Sequence, residues 1–293
     1  MAHDRRPPGA RVTAQMVGSS TDLKAISWQQ RDTILYALGV GAGLGSPESE
    51  RHFTTENTGG VTLKAIPSFI TTLAAATPPP ALAALDIGLM LHAEQSVELL
   101  RTLPPEGAGF VSNRVDSVED KGTGAIIRNC ATLYADAAAT TVLARSSACI
   151  FVRGGGGFGG KRAASEPFAP PGRAPDFTIT HATRPEQALL YRLSGDRHRL
   201  HSDAAFARER HFPRPILHGL CTYGFACRAL IAALAGDDAE SLAAMNARFV
   251  RPVFPGERLT TQIWQGDDGQ AVFRTLNPQG EAVLERGIAQ IRR

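Results

Sequence analysis

The sequence lacks most features that would commit it to a membrane, an oxidising compartment or a nucleic acid. Nowhere do apolar residues run uninterrupted for the roughly 18 positions a membrane helix needs. The four cysteines, Cys130, Cys149, Cys221 and Cys227, show no CxxC and no Cys/His spacing suited to zinc. Four in 293 residues do not make a disulfide scaffold, so a reducing compartment is expected. Charge of one sign is scarce too. The net charge of +3 is not gathered into blocks, which argues against a nucleic-acid platform. A mild positive bias suits an anionic metabolite. No apolar h-region follows Arg5, Arg6 and Arg11, so a secretory signal is not expected. Gln290 to Arg293 do not spell the C-terminal peroxisomal tripeptide, leaving a cytoplasmic enzyme as the expectation. GxSxG, HExxH and a GxGxxG between strand and helix are all missing. Serine nucleophilic catalysis, zinc proteolysis and dinucleotide binding therefore have no support.

What is present fits a soluble globular chain, with 43% hydrophobic and 20% charged residues. The length suits one large domain or two of roughly 100–150 residues. Residues 1–20 are polar and rich in Pro and Gly, and read as a loose tail. The sharpest composition break is RGGGGFGGKRAASEPFAPPGRAPD at 153–176, read as a linker not expected to pack. It separates halves at 21–152 and 177–293. Gly155, Gly160 and Lys161 almost spell a phosphate-binding P-loop. Arg162, however, stands where Ser or Thr would hold magnesium, and no helix pattern follows.

The halves resemble each other. RDTILYALGVG (31–41) parallels EQALLYRLSGD (186–196), and VELLRTLPPEG (97–107) parallels RFVRPVFPGE (248–257). Two pairs in the same order on either side of a linker favour duplication. In the second half, Thr183 to Glu186 has the form of a capping box for a helix reaching about Leu193. Pro215 opens PILHGLCTYGFACRALIAAL, a helix too apolar all round for a surface. Strands are expected at 246–254, 258–265, 270–276 and 281–291. In the first half Pro67 opens an apolar helix, and strands are expected at 87–101, 109–120, 123–136 and 140–152. Helix followed by antiparallel meander is an α+β pattern.

Chemistry gathers at one place. Asp196, His198, His201 and Asp203 fall within eight residues, beside Gly195 and ahead of the buried helix. Carboxylate and imidazole are the side chains most easily tuned to move protons near neutral pH. On spacing alone, cap and turn chemistry is the simpler account, and a metal site from the same residues has no fixed motif to match. A Pro-led helix start supplies free N–H groups, and Gly219 would let a ligand carbonyl approach closely. Tight helix packing explains Gly219 equally well, and His218 reads as a core histidine.

YRLSGDRHRLHSDAAFARERHFPRPILHGLCTYG (191–224) resembles the hydratase-2 motif of MaoC-like (R)-specific enoyl-CoA hydratases. WQQRDTILYALGVGAG (28–43) and FTTEN (53–57) resemble the N-terminal part of its two-domain members. The resemblance implies a double hot-dog fold, each half an antiparallel sheet around a long helix. It implies reversible hydration of trans-2-enoyl-CoA to a (3R)-3-hydroxyacyl-CoA, without cofactor or metal. Asp196 and His201 match the catalytic pair, and Gly219 the backbone oxyanion donor. Gly195, His198, Leu217 and His218 are carried over as substrate-contacting. Gly41 stands where the first half would need its Asp196, so that half is expected to house the acyl chain. A homodimer is likewise implied. The family's usual Asn-Pro is here His198-Arg199, Ala204 replaces a Pro, and Arg210-His211 replaces a small residue and Gly. His198 and Arg199 are expected to favour ionised Asp196 and to disfavour protonated His201. A non-catalytic acyl-CoA-binding protein and a hot-dog thioesterase are the alternatives of other classes.

Overall fold

A computed structural model describes residues 11–46, 48–74, 77–160, 168–236 and 238–292. The first half contributes β1 (Lys24–Trp28), β2 (Met90–Leu99), β3 (Gly107–Asp120), β4 (Gly124–Tyr134) and β5 (Val142–Arg153). The second contributes β6 (Phe177–Ala182), β7 (Leu242–Phe249), β8 (Arg258–Gln265), β9 (Gln270–Leu276) and β10 (Ala282–Ile291). All ten form one sheet in the order β1-β3-β4-β5-β2-β7-β10-β9-β8-β6, with every paired neighbour antiparallel. The order reads the same from either edge once strands of the two halves are equated. The seam is β2 against β7, where the repeated Pro-turn stretches begin. With Pro105 set against Pro255, Ser96 is the counterpart of Asn246, and those two residues face each other across the seam. The duplication has become a pseudo-two-fold axis.

The helix of the second half, Gly219–Leu234, is buried along most of its length. Phe225, Leu230 and Ile231 enter a core shared by both halves, with Tyr36 and Phe69 from the first and Leu259, Ile263 and Phe273 from the second. Each such side chain contributes about 1.5–3 kcal/mol by leaving water. Arg228 lies on this helix with 4% exposure. It is tolerated because it pairs with Glu50 and donates to the carbonyl of Val40 at 2.9 Å. The central helix is thus pinned to the first half by charge as well as by packing.

Several expectations need correction. The second-half helix begins at Gly219, not Pro215, because Leu217 N–H donates to Val253 and Ile216 N–H to Leu200, holding 215–217 in an extended path. Pro67 opens only a short 3₁₀ turn and a helix at Ile70–Ala74 within the described residues, so the first half has no long central helix there. Thr71 and Thr72 turn their hydroxyls back onto Ser68 and Phe69 carbonyls, and Pro78 to Pro80 follow. Thr183 caps nothing. Its hydroxyl donates to Glu257 and accepts from Gly256, and the helix starts later, at Gln187–Tyr191.

The tail and linker expectations change as well. Residues 11–20 are docked: Val12 and Met16 are buried against Val115, Ile127 and Val152, and Gly18 N–H donates to Val115. Polar composition hid two apolar anchors. The glycine run packs too. Gly122, Gly157 and Gly159 N–H groups all donate to the carboxylate of Asp120, and these donors, Gly157 foremost, hold its carboxyl down to about 2. A Cβ at Gly156 would lie 2.3 Å from the Gly124 carbonyl oxygen, which is why the run is glycine. The P-loop look-alike therefore does cradle an anion, but one belonging to the chain. At the other end, Asp176 accepts from Gln265 N–H and Trp264 donates to Arg173. Positions 161–167 of the linker and 1–10 of the tail lie outside the described residues.

Candidate active site

The loop between the 3₁₀ turn Arg192–Ser194 and the helix Ala204–Glu209 carries the acid/base cluster. Asp196 Oδ1 accepts from His198 N–H at 3.0 Å, tying the start of the loop to its own side chain. His198 and Arg199, the departures from the family pattern, turn out to order this loop. His198 Nδ1 accepts from Leu200 N–H and so caps the turn Arg199–His201, the task an Asn side chain ordinarily performs. Arg199 pairs with Asp203 at 2.6 Å and stacks over the Phe206 ring, spending its charge outside the cluster. Asp203 in turn caps the helix Ala204–Glu209 through Ala205 and Phe206 N–H.

His201 is largely buried. Its Nδ1 lies 2.9 Å from the carbonyl of Ile216, and a carbonyl only accepts, so Nδ1 carries the proton and Nε2 the lone pair. That Nε2 stands 4.0 Å from Asp196 Oδ2. Burial pushes the His201 pKa down, outweighing the Ile216 hydrogen bond and the nearby Asp196, while His198 adds only a small further lowering. His201 is thus neutral near pH 7. His218 stacks on it with ring centroids 3.7 Å apart and donates from Nε2 to the Asp196 carbonyl. Burial, then His201, keeps His218 neutral as well.

Asp196, His201 and His218 bring ligand-type atoms within 4.8 Å of one another. The two imidazoles stack with their planes 26° apart.

These groups open onto a cavity of about 650 Å³ at the junction of the halves. His198, Leu217, His218 and Gly219 line it with Asp196 and His201. Gly195 does not. It faces a separate pocket beside Trp28 and Leu193, and its part is the turn at φ +133° that leads into Asp196. Gly219 is the first residue of the central helix, where N–H groups have no partner within the helix. A Cβ there would press on the Phe249 ring at 3.2 Å. The sequence reading missed His92, Phe151 and Arg153 of the first half, and Phe249 and Arg251 of the second, all in the wall. Their spacing along the chain gives no signal, because only the β2–β7 seam brings them to Asp196.

The corresponding place in the first half is filled. Gly41 adopts φ +82°, and a Cβ on it would lie 2.4 Å from the ring of Phe225 and 3.2 Å from Arg228 Nη1. Fold and site together define a double hot-dog protein whose second half gathers Asp196, His201 and His218 at the mouth of the central helix. Residues 26–154 match the MFE-2 hydratase 2 N-terminal domain, and residues 167–284 match the MaoC like domain. The chain belongs to the MaoC-like family in its two-domain form. It is 43% identical to 3-hydroxyacyl-thioester dehydratase Y of Mycobacterium tuberculosis, over 90% of this chain and 91% of that protein. It is 36% identical to the peroxisomal enoyl-CoA hydratase 2 of Arabidopsis thaliana, over 91% of each. The crystal structure of a MaoC-like dehydratase from Phytophthora capsici superposes with a TM-score of 0.84 at 31% identity, covering 96% of this chain and 98% of that one.

Proposed function

We propose that the chain hydrates trans-2-enoyl-CoA to (3R)-3-hydroxyacyl-CoA, and dehydrates the product in reverse. One observation carries the mechanism: two acceptors, Asp196 Oδ2 and His201 Nε2, face each other 4.0 Å apart. That is too far for a direct hydrogen bond and needs a donor between them. A single water donating one O–H to each satisfies both and is polarised as a nucleophile. Its oxygen adds to C3 while one of its protons passes to the pair, and the pair delivers a proton to C2, so that H and OH are added in balance. Negative charge builds on the thioester oxygen during attack. In this reading the Gly219 N–H, at the start of the central helix, and the positive end of the helix dipole stabilise it. Exposed Arg153 and Arg251 in the cavity wall suit the phosphates of CoA. Names of the relatives agree with this chemistry, since they include hydratases and a dehydratase of acyl thioesters.

Adding the protein to crotonyl-CoA is expected to bleach the enoyl-thioester ultraviolet band without releasing free thiol. Thiol release with the band intact would instead identify a thioesterase.

The pH profile follows from His201. It must be neutral to accept from water, and burial lowers its pKa, so activity is full above the ordinary histidine range and falls only as pH drops below about 6.5. Replacing His198 by Asn and Arg199 by Pro removes the small lowering from His198. The acid limb of kcat/KM against pH should then move to higher pH, with the plateau retained. A downward move would contradict this account of the loop.

A further inference from the structure

Asp196 Oδ2 and His201 Nε2 present lone pairs to each other across 4.0 Å, so their spacing is set by whatever holds each of them. Their own ties leave freedom. Gly195, at φ +133°, leads into Asp196, and the Oδ1 bond to His198 N–H reaches only two residues along the same exposed loop. His201 is held by one hydrogen bond, from Nδ1 to the Ile216 carbonyl, a single point that leaves the ring plane free. His218 supplies both missing holds. Its Nε2 donates to the Asp196 carbonyl at 3.1 Å, and its ring stacks on His201 with centroids 3.7 Å apart. It is itself firmly placed. Its carbonyl accepts from Cys221 and Thr222 N–H in the first turn of the central helix, and Tyr191 backs its ring at 4.9 Å. Tyr191 in turn packs on Tyr36 at 6.0 Å, so the stack reaches the core shared by both halves.

Although His218 belongs to the cavity wall, only 1% of it is exposed. Its other ring nitrogen, Nδ1, is buried without a partner, an unfavourable state. A phenylalanine would stack with no such penalty but could not donate, and a glutamine would donate but could not stack. Imidazole is the smallest side chain that does both. We propose that His218 is a positioning residue for this reaction: it fixes the separation of Asp196 and His201, and ties the pair to the helix start at Gly219, without touching substrate. This role rests on the hydratase reading, in which one water bridges the gap. Burial, then His201, keeps the His218 ring neutral. When His201 takes a proton from water, the new charge therefore lies over a neutral ring face, not against a second cation.

The test compares His218→Phe, which keeps a stacked ring, His218→Gln, which keeps a donor for the Asp196 carbonyl, and His218→Ala, which keeps neither. With crotonyl-CoA, the first two should each lower kcat by about tenfold and the third by about a hundredfold, all with KM within about twofold of the natural protein. Full kcat in His218→Ala overturns the proposal. So does a rise in KM with kcat kept, which would make His218 a substrate contact. A loss in His218→Phe or His218→Gln as deep as in His218→Ala overturns it too, because one of the two holds would then be idle. A further measurement needs only the natural protein. Two-bond proton–nitrogen spectra of its histidine rings at about pH 7 should show His218 as the neutral Nε2–H tautomer. The Nδ1–H tautomer overturns the proposal whether or not the variants fold. If the natural protein does not hydrate crotonyl-CoA, the hydratase reading fails instead, and the tautomer still decides whether His218 holds Asp196.

Discussion

Asp196→Asn is expected to lower kcat for enoyl-CoA hydration by about a thousandfold or more, near 4 kcal/mol of transition-state stabilisation. The substitution is close to isosteric. Asn keeps an oxygen to accept from His198 N–H, and the backbone carbonyl still receives the His218 proton, so the loop retains its ties. What it loses is the negative charge and a carboxylate's ability to take a proton. The amide can also present N–H toward His201, replacing the water that two facing acceptors would hold. His201→Gln should cost a similar factor, and the double variant should be no worse than either single one, because the pair acts on one water as a unit. Steady-state rates with crotonyl-CoA, alongside a binding measurement with a saturated acyl-CoA, separate lost chemistry from lost binding. If Asp196→Asn keeps a tenth of the activity, His201 activates water alone and the bridging arrangement is wrong.

Gly41→Asp, which writes the catalytic carboxylate into the first half, should destabilise the fold by at least about 3 kcal/mol and create no second site. Three costs act together: a side chain at φ +82°, an overpacked contact with Phe225 at 2.4 Å, and a carboxylate placed in a buried position. Arg228 is close enough to offset part of the last, but it already serves Glu50 and Val40. Against a typical total stability of about 5–15 kcal/mol, that loss is large. Denaturant midpoints for Gly41→Ala and Gly41→Asp separate the backbone and steric costs from the charge. An unchanged midpoint in Gly41→Asp would show that the first-half position is open, and the single-site account would fall.

Much of the architecture is visible in the sequence because it rests on local signals. Alternating strands placed β8 and β9 at their observed limits and β10 within a residue, since turn residues at PGE, GDDG and NPQG bound them. The short edge strands β1 and β6 are not expected from the sequence: β1 shows no regular alternation, and β6 alternates only between half-buried and exposed residues, directly after the Pro-rich stretch. Helix starts were misplaced at Pro215 and Thr183. Proline and threonine there look like helix openers, but partners remote in sequence, Val253 and Glu257, claim the backbone and the hydroxyl instead.

Where the chemistry gathers is legible in the residues alone. Asp196 and His201 are five positions apart on one loop, and Gly219 begins the next buried helix, so local chain geometry brings them close. The tertiary structure alone decided the rest. It made His198 a turn cap and gave Arg199 to Asp203, it turned the glycine run into a cradle for Asp120, and it closed Gly41 off with Phe225. It also put His92 and Arg153 in one cavity wall with Asp196. Each of these depends on residues far apart in the chain meeting across a pseudo-two-fold seam. Composition and spacing record a side chain's chemistry, while its partners are set by the packing of the two halves.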